Sequence, residues 1–169
     1  HCIIDDDACS EAARQEIIRR YYKGLCDAKV GNATKDIVRK LELLMKQAGV
    51  VPHDRKVVTA AEERHEQTGT PCAAIELSDG RIMTGRTNDL LGAAASCLLN
   101  SMKLNAGIDH GLHLISREAI EPIQTLKTKY LGSRNPRLHT DEMLIALSTS
   151  AATNPNAALA LEQLPALRG

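Results

Sequence analysis

The stretch Cys72-Ala73-Ala74-Ile75-Glu76-Leu77-Ser78-Asp79-Gly80-Arg81-Ile82-Met83-Thr84-Gly85-Arg86 decides the fold, because it reads as a β-hairpin. Two strand-like runs, Cys72 to Leu77 and Arg81 to Arg86, flank Ser78-Asp79-Gly80. The Asp-Gly pair supplies the left-handed backbone that a tight reversal needs. A lone hairpin cannot bury its own apolar face, so a partner must lie nearby in the chain. Asn88 or Asp89 is the expected cap of that partner. It is a helix through Leu90, Leu91, Ala94, Cys97, Leu98, Leu99 and Met102 to Gly107, apolar on nearly every side and hence central and buried. Short strands at Lys56 to Val58 and Leu112 to Ile115 extend the hairpin to a mixed sheet of about four strands, with helix 88–106 on one face. The expected class is therefore α/β, a small mixed sheet with a β-hairpin packed by helices.

Helices flank this centre on both sides. Ser10 is the expected cap of a helix that places Ala13, Ile17, Tyr21 and Leu25 at four-residue spacing. A second helix, about 33–48, would bury Ile37, Leu41, Leu44 and Ala48 and end at Gly49. Together they make a helical arm over 1–50, followed by an α/β domain with C-terminal helices over 51–169. After the hairpin and central helix, Ser116 reads as a cap and Pro122 as a first-turn residue of a helix ending near Gly132. Thr140 caps an apolar helix 141–152, and Asn154-Pro155 breaks it and starts another, 156–164, which Pro165 ends.

Composition removes several function classes. Hydrophobic residues are 43% of the 169, but aromatics are only 2%, with no Phe or Trp, so the core is aliphatic, and three tyrosines, two of them adjacent at Tyr21 and Tyr22, do not readily supply a base-stacking platform. Lys plus Arg equal Asp plus Glu at 21 each, which removes the global electrostatic case for nucleic acid or an anionic membrane. No run approaches the length of a membrane span, and the start His1-Cys2-Ile3-Ile4-Asp5-Asp6-Asp7 has no signal-peptide pattern, so a soluble cytoplasmic chain is expected. The five cysteines, at 2, 9, 26, 72 and 97, are odd in number and form no CxxC pair. They read as mostly buried apolar residues, and no zinc site is expected.

Three runs carry a family resemblance: Ala74 through Ile82; Glu121-Pro122-Ile123-Gln124-Thr125-Leu126-Lys127; and Asn135-Pro136-Arg137-Leu138-His139-Thr140-Asp141-Glu142 with Ala152-Thr153-Asn154-Pro155. They resemble domain of unknown function family 1846, also uncharacterised protein family 0371. The likeness runs from Glu16-Ile17-Ile18-Arg19-Arg20-Tyr21-Tyr22 to Gly169. It implies architecture and no particular reaction. Family members are bacterial proteins of several hundred residues, so this chain is expected to be a later portion of a longer protein, with both ends cut. A glycine-rich, lysine-bearing loop that suggests phosphate binding lies upstream in them, and no GxxxxGK[ST] pattern occurs here. Zinc-protease labels attached to the family by analogy find no support, since His65-Glu66-Gln67-Thr68-Gly69 lacks the second His of HExxH. The order hairpin, helix, strand, helix also resembles the core of cytidine deaminases. Their zinc ligands are missing at Thr87-Asn88-Asp89 and Ser116-Arg117-Glu118.

Two places could carry chemistry. The segment from Lys127 to Thr140 holds four permanent cations and no acid and runs into a helix start, where Lys129, Arg134, Asn135, Arg137 and His139 could grip phosphate or carboxylate. The simpler explanation of the same cations is pairing with Asp141, Glu142 or another part of the full-length protein. At Thr84-Gly85-Arg86-Thr87-Asn88-Asp89 a strand gives way to a helix, so Arg86 and Asn88 could meet a ligand, with Gly85 letting it approach. Capping by Asn88 or Asp89 accounts for the same residues. His110 and His113 lack a third metal ligand, and Cys97, mid-helix, is a poor nucleophile.

Two functions follow. One is a structural and oligomerisation module whose apolar C-terminal helices dock on a second copy or on the missing domain. The other is the accessory half of a phosphate- or nucleotide-handling enzyme, with an anion site shared with the upstream half. No cofactor is expected within the fragment itself. Convergence of Arg86 with Arg134 or Arg137 on one concave surface separates the two.

Overall fold

The computed structural model describes residues 4–167. They divide into two compact units, 1–58 and 59–169.

In the first unit, helix α1 (Asp6–Lys29) packs on helix α2 (Lys35–Ala48). Asp5, not Ser10, is the cap of α1: its carboxylate accepts from Ala8 N at 2.8 Å, and Asp6 and Asp7 add favourable charge to the first turn. The buried face also differs from the expected stripe. Four-residue steps drift about 40° each around a helix, so Ala13 and Leu25 turn out to solvent. Ile18 is buried instead, with Ile17, Tyr21 and Tyr22 packed beside it. On α2 the inward face is Val38, Leu41, Met45 and Ala48, and Ile37 and Leu44 are exposed. Gly49 adopts the left-handed conformation that ends α2, as its sequence position implies. Where α1 and α2 pack, a Cβ on Gly24 would lie 2.9 Å from Leu41 Cδ1, the end of a side chain that can turn aside, so glycine eases this approach without being required for it.

Lys56 to Val58 is not a strand. It opens helix α3 (Lys56–Thr68), where the helix formers Ala60, Ala61, Glu62 and Glu63 outweigh two β-branched valines.

The second unit is built around the hairpin. Strands β1 (Cys72–Glu76) and β2 (Ile82–Arg86) pair antiparallel, with Cys72 opposite Arg86 and Glu76 opposite Ile82. Gly80, at φ 81°, makes the reversal, and the Asp79 carboxylate accepts from Arg81 N at 3.0 Å. Helix α4 (Ala93–Asn105) packs on both strands. Leu98 and Leu99 are half-buried against the main core. Among the described residues the sheet has two strands rather than about four.

Leu112 to Ile115 is irregular, and side chains take two of its carbonyls and a backbone group on either side. Lys103 Nζ donates to the carbonyls of His110 and Leu112, Asn154 Nδ2 donates to Leu114 O, and Ser150 Oγ accepts from Ser116 N. Asn88 does not cap α4. Its carboxamide oxygen accepts from Leu90 N and Leu91 N, both at 2.8 Å, which folds 88–91 into a turn, and Gly92 becomes the cap. Leu91 then bridges in parallel to Leu138.

Ser116 caps helix α5 (Arg117–Thr125), as its hydroxyl accepts from Ala119 N. Pro122 therefore lies inside that helix and not in its first turn, and a π turn (Leu126–Tyr130) follows. Helix α6 (Thr140–Ala151) has His139 at its cap in place of Thr140. Asn154 caps helix α7 (Pro155–Leu161), with Pro155 at its first position, and α7 ends before Pro165. The core joins Met102 of α4, Leu114, Leu138, Met143 and Leu147 of α6, and Ala157 and Ala160 of α7.

Gly85 sets the hairpin on α4. A Cβ there would lie 2.1 Å from Cys97 N and 2.5 Å from Cys97 Cα, so the space next to Gly85 belongs to the helix backbone and not to a ligand. The Cys97 thiol donates to Met83 O and Asn100 Nδ2 donates to Thr84 O, which locks the same contact. Gly85→Ala should cost at least about 3 kcal/mol, at the severe end of overpacking, because backbone rather than a flexible side chain must move. Chemical denaturation of wild type and variant measures it; a loss under about 1 kcal/mol would mean the interface can slide.

Candidate functional site

Arg86 ends β2, and the turn that follows carries Thr87, Asn88 and Asp89. Arg137 reaches this turn from the far side of the Leu91–Leu138 bridge, donating from Nε to Asn88 O at 2.7 Å. Its Nη groups have no further hydrogen bond among the described residues. Asn135 Oδ1 holds the backbone of this segment by accepting from Arg137 N. The result is a cleft of about 380 Å³ shared by Thr70, Arg86, Thr87, Asn88, Asp89 and Arg137. Two guanidinium groups face one carboxylate, Asp89, so the cleft is net positive.

A larger cavity of about 460 Å³ adjoins it, with Arg86, Asn88 and Asp89 lining both. Its further polar lining comes from Arg64 of α3, from Ser96, Asn100 and Lys103 of α4, and from His110 and His113. Leu99, Leu114 and Ile120 supply its apolar floor. Burial holds the Lys103 ammonium below its ordinary pKa, while Asp109 pulls it the other way. Ser96 Oγ and Arg64 Nε are both buried without a hydrogen-bond partner among the described residues.

The other nominated residues lie elsewhere. Lys129 is exposed, 5.6 Å from the Tyr130 ring centroid, and Arg134 and His139 are exposed and line neither cavity. The start of α6 is already satisfied from within the chain. Glu142 Oε2 accepts from His139 N at 2.7 Å and from Lys127 Nζ at 2.6 Å, and Lys127 also donates to Arg137 O. Of the seven nominated residues, the fold thus brings together Arg86, Asn88 and Arg137, with Asn135 bracing the last.

Arg64, Ser96 and Lys103 were not legible as site residues. Lys103 left one trace, a lone cation in an otherwise uncharged helix; Arg64 sits among ordinary helix-surface charges and left none. The cysteines depart from the expectation of burial. Cys9 and Cys26 are exposed, because they lie on outward faces of α1; Cys72 is half-buried and Cys97 buried. Cys2 lies outside the described residues. Burial pushes the Cys97 thiol up to about 11, against a smaller opposing contribution from the Ile75 backbone. Among the described residues no three His, Cys, Asp or Glu side chains gather to hold a metal ion, and no helix is long and apolar enough to cross a membrane.

Residues 53–169 match the family described as domain of unknown function DUF1846, C-terminal, and residues 1–49 match its N-terminal counterpart. The chain belongs to the DUF1846 family. It is 53% identical over 169 residues to a UPF0371 protein of Corynebacterium urealyticum and 55% identical over 170 residues to one of Corynebacterium diphtheriae. A UPF0371 protein of Streptococcus thermophilus is 49% identical over 167 residues. These matches cover 99–100% of this chain but 34% of each relative. The chain thus spans about a third of the length of the DUF1846 proteins it matches.

Two outcomes follow from this geometry. Burial raises the Glu142 carboxyl, but the hydrogen bonds from Lys127 and His139 N and the Lys127 charge outweigh it and leave the pKa below the ordinary value. Its contribution to stability is therefore full above the unfolded-state pKa and lost as pH falls through the lowered native one. Glu142→Ala, which strands the buried Lys127 ammonium, should cost about 2–3 kcal/mol at neutral pH, and the deficit should shrink on acidification. Denaturation curves from pH 7 to pH 3 check both; a pH-independent deficit would contradict the linkage. In a thiol-labelling time course at pH 8, Cys97 should react only after denaturant is added.

Proposed function

We propose that this stretch forms the anion-holding wall of a phosphate- or nucleotide-handling site, completed by the remainder of the full-length protein. The observation that carries the reading is that Arg86 and Arg137 meet in one concave surface, which also holds Asn88. Arg137 is fixed there through Nε, so its Nη pair is pre-aimed and little side-chain entropy is lost on binding. A planar guanidinium matches two oxygens of a phosphate or carboxylate at once. The reading calls for no zinc or other metal from this chain.

A second reading has its own support. Ile145 of α6 is 60% exposed and Leu159 of α7 is 41% exposed, apolar area of the kind that docks on a second copy of the chain or on the rest of the protein. Self-association that Ile145→Lys abolishes, seen by light scattering, would favour this module role.

Inorganic phosphate titrated onto the full-length protein, with Tm and calorimetry as readouts, tests the anion site. Phosphate at about 100 times its Kd should stabilise the protein by about 2.7 kcal/mol. Arg86→Ala and Arg137→Ala should each weaken binding about tenfold or more, and Arg137→Lys should recover only part of it. Phosphate binding of equal strength in both alanine variants would remove the cleft from the site.

A further inference from the structure

The larger cavity holds two polar atoms that the fold leaves unanswered. Ser96 is 7% exposed, and its hydroxyl has no partner among the described residues. Arg64 Nε is buried and equally without one, although Arg64 Nη1 donates to Gln67 Oε1 at 3.2 Å. Buried polar groups in folded proteins are nearly always hydrogen-bonded, and two exceptions in the lining of one cavity point to a missing partner. That partner must accept from the Arg64 N–H and can either accept from or donate to the Ser96 hydroxyl. An oxygen-rich group meets both demands. A serine hydroxyl turns between staggered positions at small cost, so Ser96 can follow an oxygen placed at the wall.

The surroundings narrow the ligand further. Lys103 is committed to two backbone carbonyls, so the guanidinium groups left for a ligand in this cavity are those of Arg64 and Arg86, and Arg86 also lines the Arg137 cleft. No Phe, Trp or Tyr lines the cavity, so a flat base would meet only the small imidazoles of His110 and His113 and the arginine planes, and no large aromatic face. The volume suits a small organic molecule.

We propose that the cavity holds the hydroxylated body of a phosphorylated sugar or polyol whose phosphate lies between Arg86 and Arg137. This rests on the cleft being the anion site proposed above. Ser96 and Arg64 then read the hydroxyl groups, while the cleft reads the charge.

Calorimetric titration of the full-length protein with inorganic phosphate, ribose 5-phosphate and AMP tests it. Ribose 5-phosphate should bind at least tenfold more tightly than phosphate, and AMP no more tightly than ribose 5-phosphate. Ser96→Ala and Arg64→Gln should each weaken ribose 5-phosphate about fivefold and leave phosphate unchanged. Ser96→Ala removes an unpaired hydroxyl and suits a helix, so its Tm should equal or exceed the parent's, which keeps the test valid if Arg64→Gln misfolds. Phosphate binding with no gain for ribose 5-phosphate, or a gain that Ser96→Ala leaves intact, would overturn the sugar phosphate proposal and spare the anion cleft. AMP binding more than tenfold above ribose 5-phosphate would overturn the ligand class. Binding of neither phosphate nor ribose 5-phosphate would overturn the cleft as well.

Discussion

The second unit depends on one close approach, the backbone of α4 lying directly on Gly85 of β2. A two-stranded hairpin has too little area to stand alone in water. Here it gains its stability from a helix that reaches the strand without an intervening side chain, and the Cys97 and Asn100 side chains answer strand carbonyls at the same junction. The opposite side of α4 enters the core with α6 and α7. Any change that lifts α4 from β2 therefore disturbs the main core and both cavities, since Arg86, Ser96 and Lys103 ride on these two elements.

Two buried lysines tie loops to the helical core. Lys103 and Lys127 are each more than nine-tenths buried; Lys103 gives its ammonium to the carbonyls of His110 and Leu112, and Lys127 gives its own to the carbonyl of Arg137. Lys127 has the Glu142 carboxylate as well, and Lys103 is left with carbonyls alone, which is why burial weighs on its proton. An ammonium with three donors can serve several carbonyls at once, a role that an apolar residue cannot fill. These lysines position the loops around the site without being free to bind in it.

Charge is divided accordingly. Along the basic segment 127–139, Lys127 is structural, Lys129 and Arg134 are solvated, and Arg137 alone is carried into the cleft. The acid missing from that segment is supplied by Glu142, which closes the start of α6 and takes the place an outside anion would occupy. The bland and the functional explanations of the segment thus apply to different residues within it.

What the sequence by itself determined was set by short-range chemistry. Asp79-Gly80 specifies the hairpin, Gly49 ends α2, Ser116 and Asn154 start their helices, and the runs around 74–82 and 135–142 mark the family, because each signal needs only its neighbours in the chain. Tertiary structure decided the rest. Leu112 to Ile115 reads as a strand but finds Lys103 and Asn154 in place of one, and Asn88, where a helix cap is expected, folds a turn beside the bridge of Leu91 to Leu138. Arg86 and Arg137 stand 51 positions apart in the chain, and Arg64, Ser96 and His113 share a cavity from three separate segments. No local pattern records such meetings, since they follow from how α4 sits on β2 and how far the core lets each loop approach.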